Sequence, residues 1–147
     1  MMLKIYLDNC CYNRPFDDLK QTKIYLEAKA MEIILSMHEN NDLEIYTSEV
    51  IEFEISNISN LSKRRQIEDL YDMLSLINIE SNESIKERAH ELKKYNIKDM
   101  DALHISFAES GNIDYFITTD KFLINVSNRA KLSVKIIDPI KFIMEVE

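Results

Sequence analysis

The stretch Asp99-Met100-Asp101-Ala102-Leu103-His104-Ile105-Ser106-Phe107-Ala108-Glu109-Ser110-Gly111-Asn112-Ile113-Asp114-Tyr115-Phe116-Ile117-Thr118-Thr119-Asp120 holds two structural periods with a stop between them. Asp101, His104, Ile105 and Ala108 stand at i, i+3, i+4 and i+7, one face of a helix. Gly111, the only glycine in the chain, is placed to end that helix in the left-handed conformation. Asp114 to Thr119 is aromatic and β-branched, reads as a strand, and closes on Asp120. A helix feeding a strand that ends on an acid is half of a βαβ unit.

The same alternation runs outward in both directions. Leu3 to Leu7 is a short apolar strand ending at Asp8, ahead of a polar, proline-containing turn from Asn13 to Asp18. Lys20 to Glu39 carries Ile24, Ala28, Met31, Leu35 and Met37 as a helical stripe. Leu43 to Thr47 is a second strand, and Ser48 is the N-cap of a helix reaching about Ile58. Helices over Ser62–Met73 and Glu83–Tyr95 flank a third apolar run, Leu74–Ile79. After Asp120 come a short helix, a strand from Val134 to Ile137, and a last helix opened by Asp138-Pro139. Strands separated by helices pair in parallel through right-handed crossovers. The expected class is α/β, a three-layer α/β/α fold around a parallel sheet of about five strands, as one domain over residues 1–147.

Composition narrows the functional classes. One Gly and two Pro among 147 residues indicate regular elements on short connections. No apolar run approaches the roughly 20 residues of a membrane span, and an acid at position 8 interrupts the start too early for a signal peptide. The expectation is a cytoplasmic protein without a membrane partner. Cys10 and Cys11 are neighbours, unsuited to a structural disulfide and without the spacing of a zinc site. They read as small buried side chains. The net charge is −8, with 5 basic and 11 acidic side chains in residues 1–60 against 13 and 15 in residues 61–147. No general basic surface for nucleic acid is present, so phosphate binding has to be local or carried by cations.

In a parallel sheet the ligand crevice lies beyond the carboxyl ends of the strands, where strand order reverses. Asp8 and Asp120 each follow a strand directly, and Asp101 starts a helix that begins on the same rim. Asp101 heads an apolar stripe, whereas Asp99 lies around the helix from it and reads as a cap or a solvated acid. Glu54 sits among Ile51, Ile55 and Ile58, while Glu49 and Glu52 fall with Ser56 and Ser59 on the polar side. Taken singly, each of these acids could be a helix cap or an ion-pair member. Together they form a carboxylate cluster that needs cations to offset its repulsion. Oxygen-only ligands favour Mg2+ or Mn2+, the ions used to activate water for phosphodiester hydrolysis.

These motifs resemble the PIN-domain family, and within it the VapC-type toxin branch. The family pattern is an Asp closing the first strand, a Ser-x5-Glu helix, an Asp-Ala-Leu-x4-Ala helix and a strand closing on Thr-x-Asp. Here those are Tyr6-Leu7-Asp8, Ser48 to Glu54, Asp101-Ala102-Leu103 to Ala108, and Phe116-Ile117-Thr118-Thr119-Asp120. The resemblance implies a Mg2+- or Mn2+-dependent endoribonuclease acting on single-stranded RNA, a homodimer, and a cognate antitoxin protein as partner. By position Asp8, Asp101 and Asp120 would be metal ligands, and Glu54 would bind metal or orient water. Those four would form the catalytic set, with Thr118 supporting it through a hydrogen bond. Family members often carry Thr or Ser after the first Asp; here Asn9, in a supporting place, and Cys10 follow instead.

Two further residues are candidates for substrate contact, Arg14 and His104, with a satisfied, semi-buried histidine as the other reading of His104. Lys63-Arg64-Arg65 reads as a solvated helix start, or as a phosphate contact. A haloacid-dehalogenase-type site would need an acid at position 10, where cysteine stands. A receiver domain would need paired acids at the first strand. The rival from another class is a PIN-fold binding module that acts through a protein partner without catalysis.

Overall fold

The computed structural model describes residues 2–146. In chain order its elements are β1 (Leu3–Leu7), α1 (Asn9–Asn13), α2 (Thr22–Glu39), β2 (Leu43–Thr47), α3 (Glu49–Ser56), α4 (Leu61–Met73), β3 (Ile77–Asn78), α5 (Glu83–Leu92), α6 (Asp99–Ser110), β4 (Tyr115–Ile117), α7 (Lys121–Val126), β5 (Lys135–Ile137) and α8 (Pro139–Val146). The strands form one sheet in the order β3-β2-β1-β4-β5, and every neighbouring pair is parallel. Helices flank it in an α/β/α arrangement, α2 packing with α8 and α6 with α3 and α5. None of the described helices is long and apolar enough to cross a membrane.

This order carries the functional consequence. The chain moves from β1 outward to β2 and β3, then returns to the other side of β1 to lay down β4 and β5. Strand order therefore reverses at β1 and β4, and the crevice opens beyond their carboxyl ends. Ile5, Tyr6 and Leu7 pair with Tyr115, Phe116 and Ile117, which sets Asp8 beside Thr118. Both central strands are buried on both faces, as parallel strands under helices must be.

Several elements are shorter than their apolar runs. Of Leu74–Ile79 only Ile77–Asn78 is strand, because β3 pairs solely with Tyr46 and Thr47 at the far end of β2. The segment after Asp8 continues directly as α1, and Arg14–Phe16 forms a 3-10 turn. α2 begins at Thr22 rather than Lys20.

The stop after α6 differs from expectation. Gly111 has φ −82° and is not left-handed; Asn112, at φ 53°, is. Asn112 N–H donates to Glu109 O at 3.1 Å and Ile113 N–H to Ala108 O at 3.0 Å, the paired bonds of a Schellman cap. α2 ends identically, with Asn41 at φ 61° and Asp42 N–H donating to Met37 O at 2.9 Å. Asparagine therefore makes both turns into β2 and β4. Gly111 is small for another reason: a Cβ there would stand 2.8 Å from Ile79 Cδ1.

Asn112→Ala is expected to lower stability by about 1 kcal/mol, since alanine has no local hydrogen bond to offset the left-handed backbone, whereas Asn112→Gly holds the fold. Urea unfolding of the two variants checks this.

Candidate metal centre

The carboxyl edge of the sheet gathers the acids from four separate elements. Asp8 caps α1, with Oδ1 accepting from Asn9 N–H at 2.8 Å. Asp120 caps α7, with Oδ1 accepting from Phe122 N–H at 2.9 Å and Leu123 N–H at 3.4 Å. Asp101 lies in the first turn of α6 and Glu54 near the end of α3. All four line one cleft of about 450 Å³, together with Asn9, Cys10 and Thr119. Asp99 and Glu52 are exposed, and neither lines that cleft.

Thr118 ties the two strand-end acids together. Its hydroxyl, fully buried, donates to Asp8 Oδ2 at 2.7 Å and accepts from Asp120 N–H at 3.1 Å. Asn9 Oδ1 accepts from Asn13 Nδ2 at 3.1 Å, which closes α1 on itself. Cys10 Sγ accepts from Thr119 N–H at 3.4 Å, and Cys11 is buried against Ile117 O at 3.3 Å. Both cysteines are free.

His104 is fully buried. Its Nδ1 is 2.7 Å from Tyr6 Oη and its Nε2 is 2.5 Å from Glu54 Oε1. Both ring nitrogens are thus engaged inside the protein, so His104 meets Glu54 rather than the open cleft. Asp8, Glu54 and His104 offer ligand atoms within 4.8 Å of one another. That grouping draws in the histidine and does not include Asp101 or Asp120.

Arg14 and Lys63 also line the cleft, but their charges are committed. Arg14 donates to Glu27 at 2.8 Å, to Asp17 at 2.6 Å and to Thr119 Oγ1 at 3.1 Å. Lys63 pairs with the other oxygen of Asp17. The guanidinium of Arg14 thus braces the wall of the cleft against α2, where Glu27 is buried. Sequence reading passed over Glu27, Asp17 and the cleft position of Lys63. The inward-acid test that singled out Glu54 would have found Glu27, which shares its helix face with Ile24 and Met31. Nothing local in sequence marks Asp17.

The electrostatics follow from this crowding. Burial, then the charge of Asp8, pushes Asp101 from the ordinary 3.8 up to about 6, with Asp120 and Glu54 adding and His104 opposing. Burial chiefly raises Asp8 as well; His104 and Thr118 oppose it. For His104 burial is the largest influence and acts downward, but the Glu54 hydrogen bond and the charges of Asp8, Glu54 and Asp101 outweigh it and raise the imidazole. The donor set is thus oxygen-rich and short of positive charge, which fits a hard divalent cation.

The PIN domain family profile matches residues 5–128. The structure of VapBC2 from Rickettsia felis bound to a DNA fragment from their promoter is similar in fold, with a TM-score of 0.60 and 15% identity. The match covers 91% of this chain and 97% of that one. No curated protein matches the sequence significantly.

Two outcomes are expected. Thr118→Val keeps the shape but leaves Asp8 Oδ2 without its donor, and urea unfolding should show a loss of about 1–3 kcal/mol. Asp101 binds its proton more tightly folded than unfolded, so it costs the metal-free protein stability as pH rises from 3.8 through about 6, and the cost persists above. Asp101→Asn should therefore be more stable than wild type at neutral pH without metal. That advantage should fade toward pH 3.8 and shrink when Mn2+ neutralises the wild-type cluster.

Proposed function

The chain belongs to the PIN domain family, and from that membership and the acidic cleft we propose that it is a divalent-metal-dependent endoribonuclease acting on single-stranded RNA. The observation that carries the reading is the convergence of Asp8, Glu54, Asp101 and Asp120 on one cleft. These residues are 46, 47 and 19 positions apart along the chain, and chance capping does not bring together acids from β1, α3, α6 and the end of β4. In this reading Asp8, Glu54, Asp101 and Asp120 hold Mg2+ or Mn2+, which when bound supplies activation of water and neutralisation of charge at the phosphodiester.

The remaining residues have defined parts. Thr118 holds Asp8 and the Asp120 backbone in fixed relation. Asn9 gives its N–H to Asp8 and closes α1 beside the cleft. Arg14 and Lys63 set the wall through Asp17 and offer the only basic groups lining the cleft among the described residues. With both already paired and a net charge of −8, the phosphate backbone depends on bound cations for attraction. RNA as the substrate follows from the VapC-type resemblance.

The same resemblance supports a toxin role, with an antitoxin protein as partner and a homodimer as the working form in the cytoplasm. The similar solved structure is a VapBC2 assembly on promoter DNA. A surface suited to a protein partner is also present: Val50, Phe53, Met100, Leu103 and Phe107 line an apolar groove of about 310 Å³ between α3, α5 and α6. Phe53, directly before Glu54, is 58% exposed there.

The test has two parts. Calorimetric titration with Mn2+ should show binding to wild type, weakened in Asp8→Asn and Asp101→Asn. Cleavage of a mixed RNA pool should require the ion and fall by at least about 100-fold in both variants, the scale of losing several kcal/mol of charge stabilisation. Wild type that binds no ion defeats the metal centre. Metal-loaded, folded protein that leaves RNA intact favours a binding module instead.

A further inference from the structure

Glu54 stands out among the cleft acids for how little its own element does to hold it. α3 is an eight-residue helix, and Glu54 lies in its last turn, where the helix dipole disfavours a carboxylate. Asp8 and Asp120 are fixed by backbone N–H groups, whereas the Glu54 carboxylate has a single hydrogen-bond partner among the described residues, His104 Nε2. Its side chain is 25% exposed and that of His104 is 0%. A flexible carboxylate on a short helix thus leans on an immobile ring.

The ring is immobile because it is anchored on the other side. His104 Nδ1 meets Tyr6 Oη at 2.7 Å, and Tyr6 Oη meets Ser48 Oγ at 2.6 Å. Ser48 in turn accepts Val50 N–H at 3.3 Å, as the N-cap of the helix that carries Glu54. Phe116 packs edge-on against His104, with centroids 6.2 Å apart, and against Tyr6 at 5.4 Å. A carboxylate oxygen that accepts here needs the proton on Nε2, which leaves Nδ1 to Tyr6 Oη. The closed path Ser48–Tyr6–His104–Glu54 therefore begins and ends on α3 and passes through β1 and α6. It also brings His104 Nε2 within 3.9 Å of Asp8 Oδ1.

We propose that His104 is a positioning residue: seated on Tyr6, it holds the Glu54 carboxylate beside Asp8 and so completes the oxygen donor set of the cleft. This rests on the metal-centre reading above. Groups that orient a ligating side chain change metal affinity or activity by about 10–100-fold when removed. Substrate contact is not needed for such an effect, and burial of His104 rules it out in this conformation.

The experiment is calorimetric Mn2+ titration of wild type, His104→Ala, His104→Gln and Tyr6→Phe, with circular dichroism to verify each fold. Ring 15N spectra of wild type during Mg2+ addition accompany it. His104→Ala should lose about 10–100-fold in affinity, and His104→Gln, which keeps an N–H near the Nε2 position, should recover most of that. Tyr6→Phe should lose less than His104→Ala, and Mg2+ should shift the His104 Nε2 resonance through Glu54. A folded His104→Ala with wild-type affinity overturns the proposal, as does His104→Gln no better than a folded His104→Ala. If His104→Ala fails to fold, His104→Gln and Tyr6→Phe decide it: near-wild-type affinity in the first with a loss in the second is expected, and no loss in Tyr6→Phe overturns the anchoring. Wild type that binds no Mn2+ overturns the metal-centre reading itself, whereas binding by wild type with an indifferent His104 overturns the positioning role alone.

Discussion

Between the two central strands a single hydroxyl bridges what the sheet topology brings together. Thr118 donates to the Asp8 carboxylate and receives the Asp120 N–H, at the seam where strand order reverses. The reversal creates a crevice, but a crevice alone does not set the spacing of two acids. One buried side chain with a donor and an acceptor function does. The geometry of α1 and α7 follows from it, because Asp8 and Asp120 are also the N-caps of those helices. Asp120 divides its carboxylate, with Oδ1 taken by backbone and Oδ2 without a hydrogen bond among the described residues, whereas both oxygens of Asp8 are engaged, Oδ1 by Asn9 N–H and Oδ2 by Thr118.

Much of this was legible in sequence, and for identifiable reasons. The parallel class followed from alternating periods, and the rim position of Asp8, Asp101 and Asp120 followed from topology alone. Glu54 was legible because one acid among Ile51, Ile55 and Ile58 contradicts its helix face. What escaped was whatever depends on contacts between distant segments. In the Arg14–Asp17–Lys63 arrangement Asp17 meets Lys63 across 46 positions; Arg14 and Lys63 were legible as possible phosphate contacts, but not the acids that hold them. His104 was visible on the inner face of its helix, but its bond to Glu54, across 50 residues, was not. Gly111 misled for a simpler reason. Glycine is the usual left-handed stop, and here packing against Ile79 selected it, while Asn112 took the backbone strain.

The negative charge of the chain takes on a particular meaning once the cleft is described. Its two lining cations are neutralised by Asp17 and Glu27, so the protein does not balance its four acids from within. Burial and mutual repulsion hold Asp101 near the threshold of protonation. Such a cluster is electrostatically unfinished, and under the metal-centre proposal the species that completes it carries more than one positive charge in a small volume, with a preference for oxygen. Selectivity of this kind comes from what the site leaves uncompensated.

The left-handed asparagines bear on the unfolded chain as much as on the native one. Asn41, Asn96 and Asn112 occupy backbone conformations where glycine would fit without strain. Each such choice raises the native energy slightly, yet it also removes a freely jointed residue from the denatured ensemble. With one glycine in 147 residues, the denatured chain has few points of unrestricted rotation. Folding therefore surrenders less backbone entropy at its turns than a glycine-rich chain of the same topology. The sheet meanwhile joins strands as brief as β3, two residues, and β4 and β5, three each, and its turns into β2 and β4 are set by asparagine rather than by glycine.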